Sequence, residues 1–223
     1  MKKLLKDVTL LSYNTNPDRM DGTILALQKC CENFGFYQVK LICDKKPDNL
    51  PKNIIWEYAP HINNINDFNQ YMFSELDKHV ESSHMLFVHD HAYILSANTW
   101  DDNWLKWDFC GAPWRYMPDA YICHDTGEHV RVGNGGFSLR SKFLLGIPKK
   151  YNIPLTHENF YYNEDGNVAV YNRVKFLKLG VKYMPLEESC KFSYENPVPE
   201  NNYGNMKTFG FHRNFPPSQM IHG

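Results

Sequence analysis

The sequence predicts an α/β layered domain with a mostly parallel central sheet. Strand-like and helix-like stretches alternate along the chain at the spacing of strand–helix–strand units. Met85 to Val88 is a continuous apolar run, as expected of a central strand buried on both faces. The 223 residues, 43% of them hydrophobic, suit one substantial core and are few for two. Neither an internal repeat nor a linker divides them, so residues 1–223 are expected to form one domain.

Val8 to Tyr13 reads as the first buried strand, and Asn14 to Pro17 as loop. A helix is expected from about Gly22 to Phe34, with Ile24, Leu27, Cys31 and Phe34 on one face and Gly35 as its stop. Tyr37 to Cys43 and Ile54 to Tyr58 follow as strands. Asp67 to Val80 reads as a helix capped by Asn66. After Val88 the apolar run breaks at His89-Asp90-His91. Trp100 to Trp107 is a short helix or turn, Asp108 to Pro113 a strand, and Trp114 to Arg131 polar and irregular. Phe137 to Arg140 alternates as a strand and leads into a helix-like run. Asn163 to Leu179 reads as a helix stopped by Gly180, with Val181 to Met184 as a strand after it. Beyond Glu187 the chain is expected to be irregular, a lid or wrap that keeps Phe192, Tyr194, Phe209 and Phe211.

A net charge of −1 argues against a strong non-specific grip on nucleic acid. Aromatic residues reach 15%, a surplus that fills cores and also lines sugar or nucleobase pockets. The six cysteines form no C-x-x-C pair, which excludes a zinc knuckle and fits a reducing cytoplasm. Met1 to Leu5 starts like a signal peptide, but Lys6-Asp7 ends the apolar run too early. No window approaches a transmembrane span.

Four clusters could carry chemistry. Val132 to Ser141 holds three glycines around Asn134, a turn whose backbone N–H groups can approach an anionic or hydroxyl-rich ligand, or a tight turn with no ligand. Asp44 and His89-Asp90-His91 stand at the carboxyl ends of strands, where open α/β sheets collect ligands and where a carboxylate between imidazoles suits a divalent ion; strand-end Asp residues also simply cap turns. Tyr161-Tyr162-Asn163-Glu164-Asp165-Gly166 starts a helix. Acids there serve capping and the macrodipole, or one acts as a general base, with a pKa that the helix end lowers. Thr208 to His212 ends in a histidine with either a structural or a ligand role.

Taken in order, Leu86 to Leu95, Trp100-Asp101-Asp102, Phe109 to Trp114, Val132 to Ser141, Glu164-Asp165, Cys190 to Glu195 and Phe209 to His212 resemble a family of glycosyltransferase-like domains of unknown function. The resemblance covers residues 80 to 213 and, more weakly, the first strand. It implies the GT-A fold, a Rossmann-like α/β domain that uses a nucleotide-activated sugar. It implies Mn²⁺ or Mg²⁺ on the donor diphosphate, held by Asp90 and by His212, the counterpart of a C-terminal metal histidine in related inverting enzymes. This chain has His-Asp-His in place of the two-acid D-x-D form. Asp165, or failing that Glu164, takes the role of catalytic base. Tyr13, Asn14, Asp44, His89, His91, Asn134, Gly135 and Gly136 are expected at the donor, and Trp114 and Arg131 at the acceptor.

The expected activity is transfer of a sugar from a nucleotide-sugar, a UDP-sugar first, to an acceptor hydroxyl with inversion. A surface glycan, a small metabolite, a protein and a hydroxylated DNA base are all open as acceptors, the glycan and the DNA base first. Lysine (18) exceeds arginine (6) and asparagine is abundant, which points to an AT-rich bacterial or viral genome and, for a virus, to the host cytoplasm. A non-catalytic sugar or nucleotide-sugar binder is the competing reading. A nucleotidyltransferase ranks third, because Leu11 to Asn16 lacks a glycine- and lysine-rich phosphate loop.

Overall fold

The computed structural model describes residues 2–156 and 163–217. Tyr161 and Tyr162 of the expected Glu-Asp cluster lie outside the described residues. Strands β1 (Lys3–Tyr13), β2 (Phe34–Cys43), β3 (Ile55–Tyr58) and β4 (His84–Val88) run parallel in the order β3-β2-β1-β4. β7 (Phe137–Ser141) joins β4 antiparallel, and β6 (Phe109–Cys110) joins β7 antiparallel, which completes a six-stranded sheet. The mostly parallel α/β architecture matches the expectation. β4 is buried at every position, which is why its sequence shows no alternation.

Helix α1 is Pro17–Cys30, five residues earlier at its start than expected. Asn16 caps it by accepting the Asp18 N–H, and Pro17 supplies a preset φ at the first helical position. The helix therefore ends at Cys30, and Phe34 and Gly35 belong to β2. Helix α2 is Ile65–Ser74, capped by Asn64 rather than Asn66. Helix α3 is Lys142–Lys150.

The expected helix from Asn163 is broken into α4 (Glu164–Gly166), a π-helical turn over Asn167–Tyr171, and α5 (Arg173–Lys178). Asn167 causes the interruption. Its side chain takes the Thr156 N–H and donates to the Thr156 and Asn163 carbonyls, and its own carbonyl accepts from Asn172 N, five residues on. The strand expected at Val181 to Met184 is reduced to a single parallel bridge between Tyr183 and Phe109.

The tail wraps onto the domain as expected, but it carries regular elements where an irregular segment is expected. It forms α6 (Leu186–Phe192), β8 (Ser193–Tyr194) and β9 (Gly210–His212). With β5 (Ala92–Ile94) these strands make a second sheet, in the order β5-β9-β8. Its anchor is Phe209, fully buried, whose ring lies between 5.2 and 6.0 Å from the rings of Phe34, Trp100, Trp104, Phe137 and Phe192. Tertiary aromatic packing, which has no sequence period, holds the tail in place.

Candidate functional site

Two strand pairings converge at the carboxyl end of β4. Val88 pairs with Phe137, and the His89 N–H donates to the Gly136 carbonyl at 3.0 Å, so the histidine run meets the glycine turn. Ala92 of β5 pairs with His212 of β9, and the Arg213 N–H donates to the His91 carbonyl. A residue 121 positions away is thereby laid beside His91.

The result is a cluster of three imidazoles. His212 Nε2 lies 3.0 Å from His91 Nε2 and 3.2 Å from His89 Nδ1. The candidate ligand atoms all lie within 4.8 Å of one another. Burial, followed by the mutual repulsion of the rings, pushes His89 well below the usual histidine range and His212 down to about 3. Both rings are therefore neutral at physiological pH, as metal ligation requires.

Asp90 belongs behind this cluster, not in it. Its Oδ2 accepts Arg19 Nε at 2.7 Å, and its Oδ1 accepts Arg19 Nη2 at 2.6 Å and faces His91 Nδ1 at 2.7 Å. Burial alone would raise the Asp90 pKa, but Arg19 and His91 together hold it below the usual range. Glu195 plays the matching part for His212, with Oε1 3.0 Å from Nδ1. His89, His91 and His212 are thus the residues whose ligand atoms lie near enough to share an ion, and Asp90 is not among them.

The cluster stands between two cavities of about 370 and 360 Å³ that share Ile65, Phe68, His89 and Arg213. Tyr13, Asn14, Arg19, Asp90 and His91 line the smaller one, at the carboxyl end of β1. The Tyr13 hydroxyl donates to the Pro60 carbonyl and Asn14 donates to Thr23, so both are already engaged by protein. Asp44 lines neither cavity and accepts from His61 at the sheet edge.

Asn134, Gly135, Gly136, Asp165, Trp114 and His212 line the larger cavity. Glu164 and Asp165, adjacent in sequence, have opposite surroundings. Glu164 is buried in a two-pronged pair with Arg140, at 2.7 and 2.8 Å. Asp165 faces the cavity, held by the N–H groups of Gly135 at 2.9 Å and Gly166 at 2.8 Å. Burial, and then the Glu164 charge, push the Asp165 carboxyl up to about 7 despite those hydrogen bonds. The lowered pKa expected from the helix end is overturned, because the helix has three residues and the desolvation outweighs its dipole.

The glycine turn works differently from expectation. None of Gly133, Gly135 and Gly136 has a positive φ. A Cβ on Gly133 would penetrate the Trp114 ring, and one on Gly136 would penetrate the His212 ring. These glycines admit neighbouring side chains, with Asn134 bracing the turn by accepting the Gly136 N–H at 3.1 Å. Trp114 stacks on Tyr121 at 4.1 Å on the cavity wall. Arg131 lies apart from both cavities, in a two-pronged pair with Glu200 at 3.0 Å.

A family model described as "Protein of unknown function (DUF5672)" matches residues 54–212, which hold the histidine cluster, the glycine turn and the Glu-Asp pair. The chain belongs to that family. No curated protein matches the sequence. Among solved structures, the chain is similar to a glycosyltransferase involved in the glycosylation of the major capsid of PBCV-1, with a TM-score of 0.51 at 13% identity over 92% of this chain and 91% of that one. The apo-form glycosyltransferase GlyE of Streptococcus pneumoniae TIGR4 aligns with a TM-score of 0.49 at 12% identity, over 96% of this chain and 55% of that one. The likeness to the first of these structures gives the DUF5672 chain a glycosyltransferase-like fold.

Sequence reasoning did not find Arg19, Glu195 or Arg213. Glu195 comes from the tail, and only the β8–β9 pairing brings it to His212. Arg213 is exposed, lines both cavities and sits at a φ of 62°, which is costly for a side-chain-bearing residue. The Asn16-Pro17 helix start was the one available signal for Arg19, which it places in the first turn of α1. No described helix is long and apolar enough to cross a membrane.

Proposed function

We propose that this protein is an inverting glycosyltransferase that moves a sugar from a nucleotide-sugar to a hydroxyl acceptor. The observation that carries this reading is Asp165. Its carboxyl faces the larger cavity, and burial raises its pKa to about 7, the range in which a general base is most effective. In the proposed reaction the acceptor oxygen bonds to the anomeric carbon and its proton passes to Asp165. The bond from that carbon to the diphosphate breaks, and the electron pair leaves on the nucleoside diphosphate. The Gly135 and Gly166 N–H groups fix the carboxylate for this transfer.

The smaller cavity, at the strand ends, suits the nucleotide diphosphate, with Arg19 and Arg213 as its cationic lining. A divalent ion on His89, His91 and His212 would supply positive charge against the departing phosphate. The larger cavity presents Trp114, Met117 and Tyr121, apolar faces on which a sugar ring can lie. A nucleobase can lie on the same faces, and a glycan is the first acceptor to test. A UDP-sugar is the first donor to test.

The test is mass spectrometry of donor turnover across UDP-, GDP- and CMP-sugars, with and without Mn²⁺, for the wild type and Asp165→Asn. Turnover that falls by about 10²–10⁴ in the variant supports the base assignment. Tight donor binding without turnover under any condition would make the protein a binder and remove the transferase reading.

A further inference from the structure

The metal expected from the resemblance is Mn²⁺ or Mg²⁺, bound in part by Asp90. The donor atoms argue otherwise. Magnesium takes oxygen ligands and keeps several waters, whereas imidazole suits zinc, iron, cobalt and nickel. Among the described residues no carboxylate oxygen joins the three nitrogens of the cluster. Asp90 is fully used by Arg19 and His91, and Glu195 stands on the far side of the His212 ring.

The hydrogen bonds show what the cluster is built for. His91 Nδ1 lies 2.7 Å from Asp90, and His212 Nδ1 lies 3.0 Å from Glu195. A carboxylate behind an imidazole fixes the proton on the rear nitrogen and leaves a lone pair on the front one. With that tautomer on both rings, the front atoms His91 Nε2 and His212 Nε2 face each other at 3.0 Å with no proton between them; Arg19 Nη2, 3.0 Å from His91 Nδ1, competes with Asp90 for the rear nitrogen of His91. Two lone pairs at that distance repel, and a shared cation removes the conflict. The spacing to His212 fits, since nitrogens about 2.1 Å from one ion, at angles near 90–110°, lie about 3.0–3.4 Å apart; the widest separation in the cluster, up to 4.8 Å, must close as the ion binds. The observed separations to His212 are 3.0 and 3.2 Å.

Access and rigidity agree. His91 opens to the smaller cavity, His212 to the larger and His89 to both, so an ion here keeps positions open to a ligand on either side. Gly136 leaves space for the His212 ring, and Phe68 and Phe87 pack against His89 at 5.7 and 5.2 Å.

We infer that His89, His91 and His212 form a three-imidazole centre for a first-row transition dication of the zinc, cobalt or iron(II) type, with Asp90 and Glu195 as outer carboxylates, and that it excludes Mg²⁺. This deepens the transferase reading but stands on the nitrogen geometry alone.

Titration of the metal-free full-length chain with Co²⁺, followed by its visible ligand-field absorption, tests the inference without any sugar nucleotide. One Co²⁺ per chain is expected, displaced by Zn²⁺ and unaffected by millimolar Mg²⁺. His91→Gln, on the more open ring, and His212→Gln should each abolish the absorption while circular dichroism confirms the fold. Asp90→Asn and Glu195→Gln should keep one-to-one binding but weaken it by about 10–100-fold. Displacement by Mg²⁺ at comparable concentration, or a Co²⁺ spectrum that survives in a folded His91→Gln chain, overturns the inference. A chain that binds Co²⁺ and transfers no sugar leaves this inference standing and removes the transferase reading. A chain that transfers sugar with Mg²⁺ alone does the reverse.

Discussion

Replacing Asp165 with Asn should remove activity and, above neutral pH, make the protein more stable. The carboxyl titrates near 3.8 when free and about 7 in the fold, a rise caused by burial and then by Glu164. A raised acid pKa means that the folded chain holds its proton more tightly than the unfolded chain. Asp165 therefore costs folding nothing below its unfolded pKa. Its destabilising effect grows as pH rises from about 4 and levels off above about 7. Roughly three pH units at about 1.4 kcal/mol each give about 4 kcal/mol. Asn carries no charge and escapes this cost. It can accept only one of the Gly135 and Gly166 N–H groups through its amide oxygen, a pH-independent loss of about 1–3 kcal/mol. The diagnostic quantity is therefore a difference of differences. Urea unfolding of both chains at about pH 4 and about pH 8 should show the variant gaining about 4 kcal/mol on the wild type between the two conditions. A stability gap that does not change with pH would mean that Asp165 has an ordinary acidity, and the general-base argument would lose its physical basis.

Three further outcomes follow from the same geometry. Wild-type transfer should rise with pH through about 7 as Asp165 loses its proton, with a flat profile from pH 5 to 9 as the contrary result. Glu164→Gln leaves the buried Arg140 guanidinium without its carboxylate and should cost about 3–5 kcal/mol in urea unfolding, whereas a change below about 1 kcal/mol would show that the pair is not buried as described. Gly136→Ala drives a methyl into the His212 ring; overpacking of about 1–3 kcal/mol and a loss of Co²⁺ affinity of at least tenfold are expected, and unchanged Co²⁺ binding would count against the role assigned to the glycine.

Elements whose identity rests on local pattern were legible in the chain. β4 shows itself by continuous apolarity, and the Asn163 helix start by its acids and the Gly180 stop. Boundaries failed where a cap outranked the apolar period, as Asn16-Pro17 did for α1 and Asn64 did for α2. The tail failed for a different reason. Strands of two and three residues have too few positions to show alternation, and Phe209 is held by five rings from four separate segments. Among the site residues, His89, His91, His212, Glu164 and Asp165 were visible as residue types at strand and helix ends. Their division of labour was not. Glu164 and Asp165 are indistinguishable in sequence and both line the larger cavity; only Arg140 on one and the Gly135 and Gly166 N–H groups on the other separate them.

By itself, the sequence determined an α/β sheet with chemistry-bearing residues at the carboxyl end of its central strand, because strand burial and strand ends leave local marks. The tertiary structure alone decided that Asp90 is bound to Arg19, that Glu195 backs His212, and that the glycines admit Trp114 and His212. Each of these is a contact between residues far apart in the chain. Such contacts depend on sheet register and side-chain packing, and neither is encoded in a residue's near neighbours.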